Sequence, residues 1–137
     1  MHVVLLFRKK IFGYGFECEE DKFAYESDRI RDRLDQHVLK NHIRKKSLVA
    51  KYESFGRIFK GFIGFLEEDV SFFSGDLEEV EIETGKYLKF RNLSGADELE
   101  TQLDIDKKVR TYLEENNIRT DWMRFSSRKN SYLRIIN

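Results

Sequence analysis

The sequence predicts an α+β fold: two β-α-β-β repeats, related by a pseudo-two-fold axis, build a mainly antiparallel sheet with two helices and a central cleft. Three observations carry this. One pattern is stated twice. Lys10-Ile11-Phe12-Gly13-Tyr14-Gly15-Phe16 leads through a charged linker into an amphipathic helix and two apolar strands, and Glu83-Thr84-Gly85-Lys86-Tyr87-Leu88-Lys89-Phe90 leads through a polar linker into another helix and two more strands. Helices and strands alternate too sparsely for an all-parallel sheet, which needs a helical crossover between successive strands. Most of the 12 phenylalanines fall on strands, so the core is aromatic-rich where helices lie on the sheet. At 137 residues the chain is one domain, 1–137, large enough to bury a core without disulfides, with the repeat running over approximately 1–70 and 77–137.

Each element has a local reason. Val3 to Phe7 reads as a buried strand, continuing through Tyr14 and Phe16 after a bend near Gly13. Gly13 and Gly15 flank Tyr14, and glycines inside a strand mark a bulge or the close approach of another backbone. Glu17 to Lys22 is acidic and exposed. Ser27 is the expected N-cap of the first helix, with Asp28 favouring its first turn. Ile30, Leu34 and Val38 recur at i, i+4 and i+8 on its apolar face, and Asn41 ends it.

Leu48 to Tyr52 and Ile58 to Leu66 read as strands around a turn at Ser54-Phe55-Gly56, and Glu67-Glu68-Asp69 closes the first unit. In the second unit Val80 and Ile82 alternate with glutamates, the pattern of a half-buried edge. Leu88 and Phe90 follow the Gly85 bend, and Asn92 to Thr101 is a polar loop. The second helix carries Ile105, Val109, Tyr112 and Leu113 on one face and stops at Asn116-Asn117. Arg119 to Ser127 is a strand, Arg128-Lys129-Asn130 a turn, and Tyr132 to Ile136 the closing strand.

Composition narrows the function. The 25 basic and 25 acidic residues balance, which argues against non-specific nucleic-acid binding. One cysteine, Cys18, excludes an intramolecular disulfide and fits a reducing cytoplasm; Glu19, Glu20 and Asp21 beside it oppose thiolate formation. No window approaches a membrane span, and the apolar Val3–Phe7 stretch precedes its basic residues, the reverse of a secretory signal. A cytoplasmic location is expected, without membrane association.

No catalytic signature stands out. His2, His37 and His42 have no metal-ligand spacing, and there is no phosphate loop, dinucleotide fingerprint or nucleophile elbow. Arg44-Lys45-Lys46 reads as an exposed basic loop. The aromatic clusters Phe55–Phe59 and Phe62–Phe65 have the alternation of a buried strand rather than of an RNA-stacking platform. Trp122, the one tryptophan, stands beside Asp121 and Arg124, and a tryptophan with polar neighbours suits a ligand cleft as well as a core. Glu53, after Tyr52, is either a turn residue or a carboxylate among aromatics, a combination that holds cations.

Gly85-Lys86-Tyr87-Leu88-Lys89-Phe90 resembles the Gly-Lys-Tyr-aliphatic-x-Phe segment that opens the second half of the GyrI-like small-molecule-binding domains, which also serve as effector-binding modules of bacterial multidrug-sensing transcription activators. Ile11-Phe12-Gly13-Tyr14 is similar to the strand introducing their first helix, and Val109, Tyr112 and Leu113 lie where their second helix stands. The resemblance implies a ligand between the two halves. Two departures matter. Glu83-Thr84 stands where the family often has proline. Trp122-Met123-Arg124-Phe125 keeps the aromatics of the family's aromatic-Glu-x-Tyr strand but has no carboxylate, which implies a neutral or anionic ligand rather than a lipophilic cation. A DNA-binding helix-turn-helix is absent, so a stand-alone module is expected.

The expected function is therefore non-enzymatic binding of a small organic ligand, in transcriptional regulation or sequestration, with no cofactor, no metal ion and no direct nucleic-acid contact. Tyr14, Tyr52, Tyr87, Trp122 and Phe125 are the expected walls, and Glu53 and Arg124 the orienting charges. The rivals are a hydrolase of reactive small molecules using Tyr52 and Glu53 as its acid–base pair, and a module that binds or inhibits a protein partner.

Overall fold

The computed structural model describes residues 1–40, 47–70, 76–91, 98–127 and 129–137, with all of their side chains except those of 98–105. Eight strands form one sheet: β1 (His2–Leu6), β2 (Lys9–Glu19), β3 (Val49–Phe55), β4 (Ile58–Leu66), β5 (Glu78–Ile82), β6 (Gly85–Arg91), β7 (Thr120–Ser127) and β8 (Asn130–Ile135). Helix α1 (Phe23–Lys40) joins β2 to β3, and α2 (Glu98–Glu115) joins β6 to β7. The strand order is β1-β6-β8-β7-β3-β4-β2-β5, with antiparallel neighbours throughout. This is the α+β class with antiparallel pairing that the sequence implies.

One expectation fails at the start of the chain. The first strand does not continue through Tyr14. Phe7 and Arg8 break it, and β1 pairs with β6 while β2 pairs with β4 and β5. Each half thus lends its first strand to the edge of the other, and exchanging β1–β4 with β5–β8 turns the strand order into its own reverse.

Strand alternation assigns side chains to two faces. On one face α1 covers a cluster of Tyr14, Phe16, Ile30, Leu34, Val38, Ala50, Ile63 and Phe65. On the same face α2 covers Leu88, Phe90, Val109, Leu113 and Leu133. Among the described residues the other face has no helix. It buries Ile11, Val49, Phe62, Ile82, Tyr87, Met123 and Phe125, with Val4, Leu6 and Val80 packed against them. This cluster draws on both edge strands, so the sheet curls until its own ends help to cover it. Arg8 clasps the two edges, with its backbone N–H donating to Thr84 Oγ1 at 2.8 Å and its guanidinium 2.7 Å from Glu81.

Gly13 and Gly64 are cross-strand partners on the curled face. A Cβ on either would collide with the partner's backbone, so this rung requires two glycines, as close approach inside a strand implies. The β3–β4 hairpin turns at Gly56, whose φ of 64° is freely open only to glycine.

The helix ends differ from expectation in instructive ways. Ser27 is not an N-cap. A 3-10 turn at Glu20–Lys22 leads directly into α1 at Phe23, leaving Ser27 one turn inside, buried. The Phe23 ring lies 5.9 Å from Phe16, 5.2 Å from Tyr52 and 5.6 Å from Phe59, a tertiary anchor that extends the helix backwards. Helix α2 likewise begins at Glu98, within the stretch expected to be a polar loop. Asn41, the basic run at 44–46 and the burial of Ile105 fall outside what is described.

Candidate functional site

The two helices cover separate clusters, and between them the floor of the helix face is the β3–β7 seam. Its register runs Val49↔Ser127, Ala50↔Ser126, Lys51↔Phe125 and Tyr52↔Arg124. Tyr52 and Arg124 form the last rung. Directly opposed residues on neighbouring strands point to the same face and touch, so this rung sets a phenol and a guanidinium side by side at the centre of the sheet.

Beyond the rung β7 turns away. Trp122 has a φ of 63°, and the β7–β8 register shifts between Thr120 and Arg124. Four residues on β7 span what two span on β8, which is a bulge. Side chains supply the missing ladder bonds: Trp122 N–H donates to Thr120 Oγ1 at 3.0 Å, and Met123 N–H to Asp121 Oδ1 at 3.2 Å. The bulge leaves Trp122 38% exposed, with the Arg110 guanidinium of α2 4.8 Å from its ring.

A chain of polar contacts crosses from helix to helix over this floor. The Arg31 guanidinium of α1 acts on the Tyr52 hydroxyl from the helix side. Burial raises the Tyr52 hydroxyl above its ordinary value, and Arg31 and Arg124 hold the rise back. Arg124 lies 5.2 Å from the Phe90 ring, and its Nη2 is 4.0 Å from Asp106 of α2. Burial lowers the Arg124 guanidinium from its ordinary value, and the opposing pull of Asp106 and Tyr52 does not restore it. Phe23 meets Tyr52 edge-on, which completes an aromatic surround.

The seven residues named from sequence divide by face. Tyr52 and Arg124 meet in the last rung of the seam, and Trp122 lies two residues beyond it on the β7 bulge, against Arg110 of α2. Tyr14 is on the helix face but only 5% exposed, packed in the α1 core with the Arg33 guanidinium 3.7 Å over its ring. Tyr87 and Phe125 lie on the curled face at 0% and 1% exposure and offer no surface to a cleft; the Tyr87 hydroxyl donates to the Glu83 carbonyl at 2.6 Å. Glu53 is the neighbour of Tyr52 and therefore projects to the opposite face, where Lys51 pairs with it at 3.2 Å. The acid–base pair of Tyr52 and Glu53 does not form.

Arg31, Phe90 and Asp106 were missed. Phe90 and Arg124 are brought together only by strand order, and Arg31 and Asp106 by helix placement. The Arg31 position does show itself in sequence, one residue from Ile30 on the helix, where a long side chain reaches the flank of the apolar stripe.

A separate depression of about 500 Å³, broadly open, lies between Met1 and α2 and is lined by Lys107, Lys108, Thr111, Tyr112 and Glu115. It contains none of the seven site residues expected from sequence. The Cys18 thiol is pushed up by burial first, then by Glu26 and Asp21. Among the described residues no group of three side chains is arranged to hold a metal ion. No described helix is long and apolar enough to cross a membrane.

No family model and no curated protein matches the chain. Solved structures do. SAV2435 bound to tetraphenylphosphonium aligns over 98% of this chain and 93% of its own, with a TM-score of 0.62 at 10% identity. A protein of Staphylococcus aureus MU50 assigned to bacterial transcription regulation aligns over 99% and 97%, with a TM-score of 0.61 at 12% identity. An integron cassette protein from the mobile metagenome of Vibrio cholerae aligns over 98% and 93%, with a TM-score of 0.56 at 11% identity. At these identities the likeness is one of fold.

Proposed function

We propose that this protein binds a small organic molecule on the helix face of its sheet, where β3 and β7 part between α1 and α2. The observation that carries the reading is the last rung of the seam. Tyr52 and Arg124 stand side by side there, flanked by Phe23 and Phe90, with the charges of Arg31 from α1 and Asp106 from α2 acting on them. A small-molecule site combines aromatic surface with a few polar groups that converge, and this cluster has both.

Two likenesses support the reading. The chain shares its fold with SAV2435, a protein seen with tetraphenylphosphonium, and with a protein assigned to transcription regulation. Its Gly85–Phe90 segment resembles that of GyrI-like domains, and the self-reversing strand order fits the pseudo-two-fold relation expected between the halves. In this reading the ligand selects one state of the protein and so changes its affinity for a partner, or is simply sequestered.

A screen of the full chain by thermal melting, with Trp122 emission followed in parallel, tests this. Tetraphenylphosphonium, 1-naphthylmethanol and 1-naphthoate represent cation, neutral aromatic and anion. At least one is expected to raise the melting temperature in a saturable way; at a concentration of 100 times Kd the gain is about 2.7 kcal/mol. Stabilisation by none of them would remove the site. The function would then pass to β1, whose outward Val3 and Leu5, with Phe7 following, are 43%, 58% and 71% exposed on a sheet edge. A stoichiometric protein partner lost in Leu5→Asp would establish that second reading.

A further inference from the structure

We infer that the ligand of this site is an aromatic anion, held by Arg124 through its carboxylate or an equivalent acid group. The inference rests on the small-molecule reading above and gives it a chemical class.

The balance of charge over the seam carries it. Arg31 and Arg124 flank Tyr52 on the helix face, one from α1 and one from β7. Among the described residues the ion pair made by Arg124 is with Asp106, at 4.0 Å. A guanidinium that engages a carboxylate through its fork does so at about 2.7–2.9 Å, so Asp106 neutralises part of the field without occupying the fork. The Asp106 side chain is 45% exposed, whereas that of Arg124 is 27% exposed. The cation is thus the more deeply placed partner and its counter-charge the more solvated one. Asp121, the carboxylate nearest to Arg124 in sequence, pairs with Arg134, and Glu53, next to Tyr52, is on the other side of the sheet with Lys51.

The surroundings fix the rest of the ligand. The Arg124 guanidinium lies over the Phe90 ring, which leaves its edge to take an acid group in the plane of the fork. Tyr52 stands beside it with a hydroxyl able to donate to the same group. Phe90, 5% exposed, packs beneath the guanidinium, and the half-buried rings of Tyr52 and Phe23 are the ones a flat aromatic body would meet in offset or edge contacts. A lipophilic cation would meet the opposite arrangement, with the guanidiniums of Arg31 and Arg124 ahead of the more solvated Asp106 carboxylate.

Calorimetric titration of the full chain with 1-naphthoate, 1-naphthylmethanol and tetraphenylphosphonium tests the class. Naphthoate is expected to bind about tenfold or more tighter than naphthylmethanol, the scale of one charge-assisted hydrogen bond. Arg124→Gln is expected to erase that preference, bringing naphthoate and naphthylmethanol to within about twofold of each other. Asp106→Asn is expected to tighten naphthoate, because it removes the carboxylate that competes for Arg124. Preferential binding of tetraphenylphosphonium, or naphthoate affinity unchanged in Arg124→Gln, would overturn the anion inference and leave the binding site standing. Absence of binding by all three would remove both. Should Arg124→Gln fail to fold, shown by loss of its circular dichroism, Asp106→Asn decides: no tightening of naphthoate overturns the inference.

Discussion

At the scale of single residues, Trp122 departs furthest from what its sequence context implies. Arg119 to Ser127 reads as a plain strand, yet Trp122 takes a left-handed conformation with a φ of 63°. For a residue with a Cβ that conformation costs about 1–2 kcal/mol. The cost is tolerated because Thr120 and Asp121 supply side-chain acceptors to the two freed N–H groups. Both Trp122→Ala and Trp122→Gly lose the ring, but only glycine removes the backbone cost. Trp122→Gly is therefore expected to be more stable than Trp122→Ala by about 1 kcal/mol, read as urea midpoints by far-UV circular dichroism. Equal midpoints would mean that β7 straightens once the ring is gone. Tyr52 and Glu53 teach the complementary lesson. Their opposite faces follow from strand alternation alone, so their separation was legible; the Tyr52–Arg124 rung was not, because residues 72 positions apart meet only through the register of β3 on β7.

Among the elements, α2 ends as its sequence indicates. Asn117 adopts a φ of 52°. The Ile118 N–H donates to the Leu113 carbonyl at 2.9 Å and the Asn117 N–H to the Glu114 carbonyl at 3.3 Å, the paired bonds of a Schellman close. Ile118 packs in the same cluster as Leu113, which seals it. Asn117→Ala is expected to cost about 1 kcal/mol and Asn117→Gly to cost nothing or stabilise slightly, measured by urea unfolding. An alanine variant as stable as the parent would show that the left-handed turn is not needed. The start of α1 was less legible. Ser27 and Asp28 form a good local start signal, but the ring contacts of Phe23 with Phe16, Tyr52 and Phe59 outweigh it and draw the helix back by a turn. An N-cap is worth about 1 kcal/mol, and three aromatic pairs at about 0.5–1.5 kcal/mol each exceed that.

Across the whole molecule, the curl of the sheet couples its halves. Arg134 Nε donates to Asp121 at 2.8 Å, and its Nη1 lies 3.7 Å from Glu83, so β7, β8 and the β5–β6 turn share one charge network. Burial alone would raise the Asp121 carboxyl; the Arg134 hydrogen bond and the backbone N–H of Met123 outweigh it and hold the group below its ordinary 3.8. A folded value below the unfolded one stabilises the fold fully above pH 3.8, and the contribution is lost as the pH falls through the folded value. The stability gap between wild type and Asp121→Asn is expected to be widest near neutral pH and to close as the pH falls below 3.8, followed by urea unfolding at successive pH values. A gap constant with pH would assign the effect to packing instead. The sequence by itself determined the α+β class, the two helices and the stop at Asn116-Asn117, since periodicity and turn chemistry are local properties. Only the tertiary structure decided that β1 crosses to β6, that Tyr87 and Phe125 are core, and that Arg31, Phe90 and Asp106 join Tyr52 and Arg124. Strand order and sheet curl arise from burying apolar surface across the whole chain, and no short window of residues contains that information.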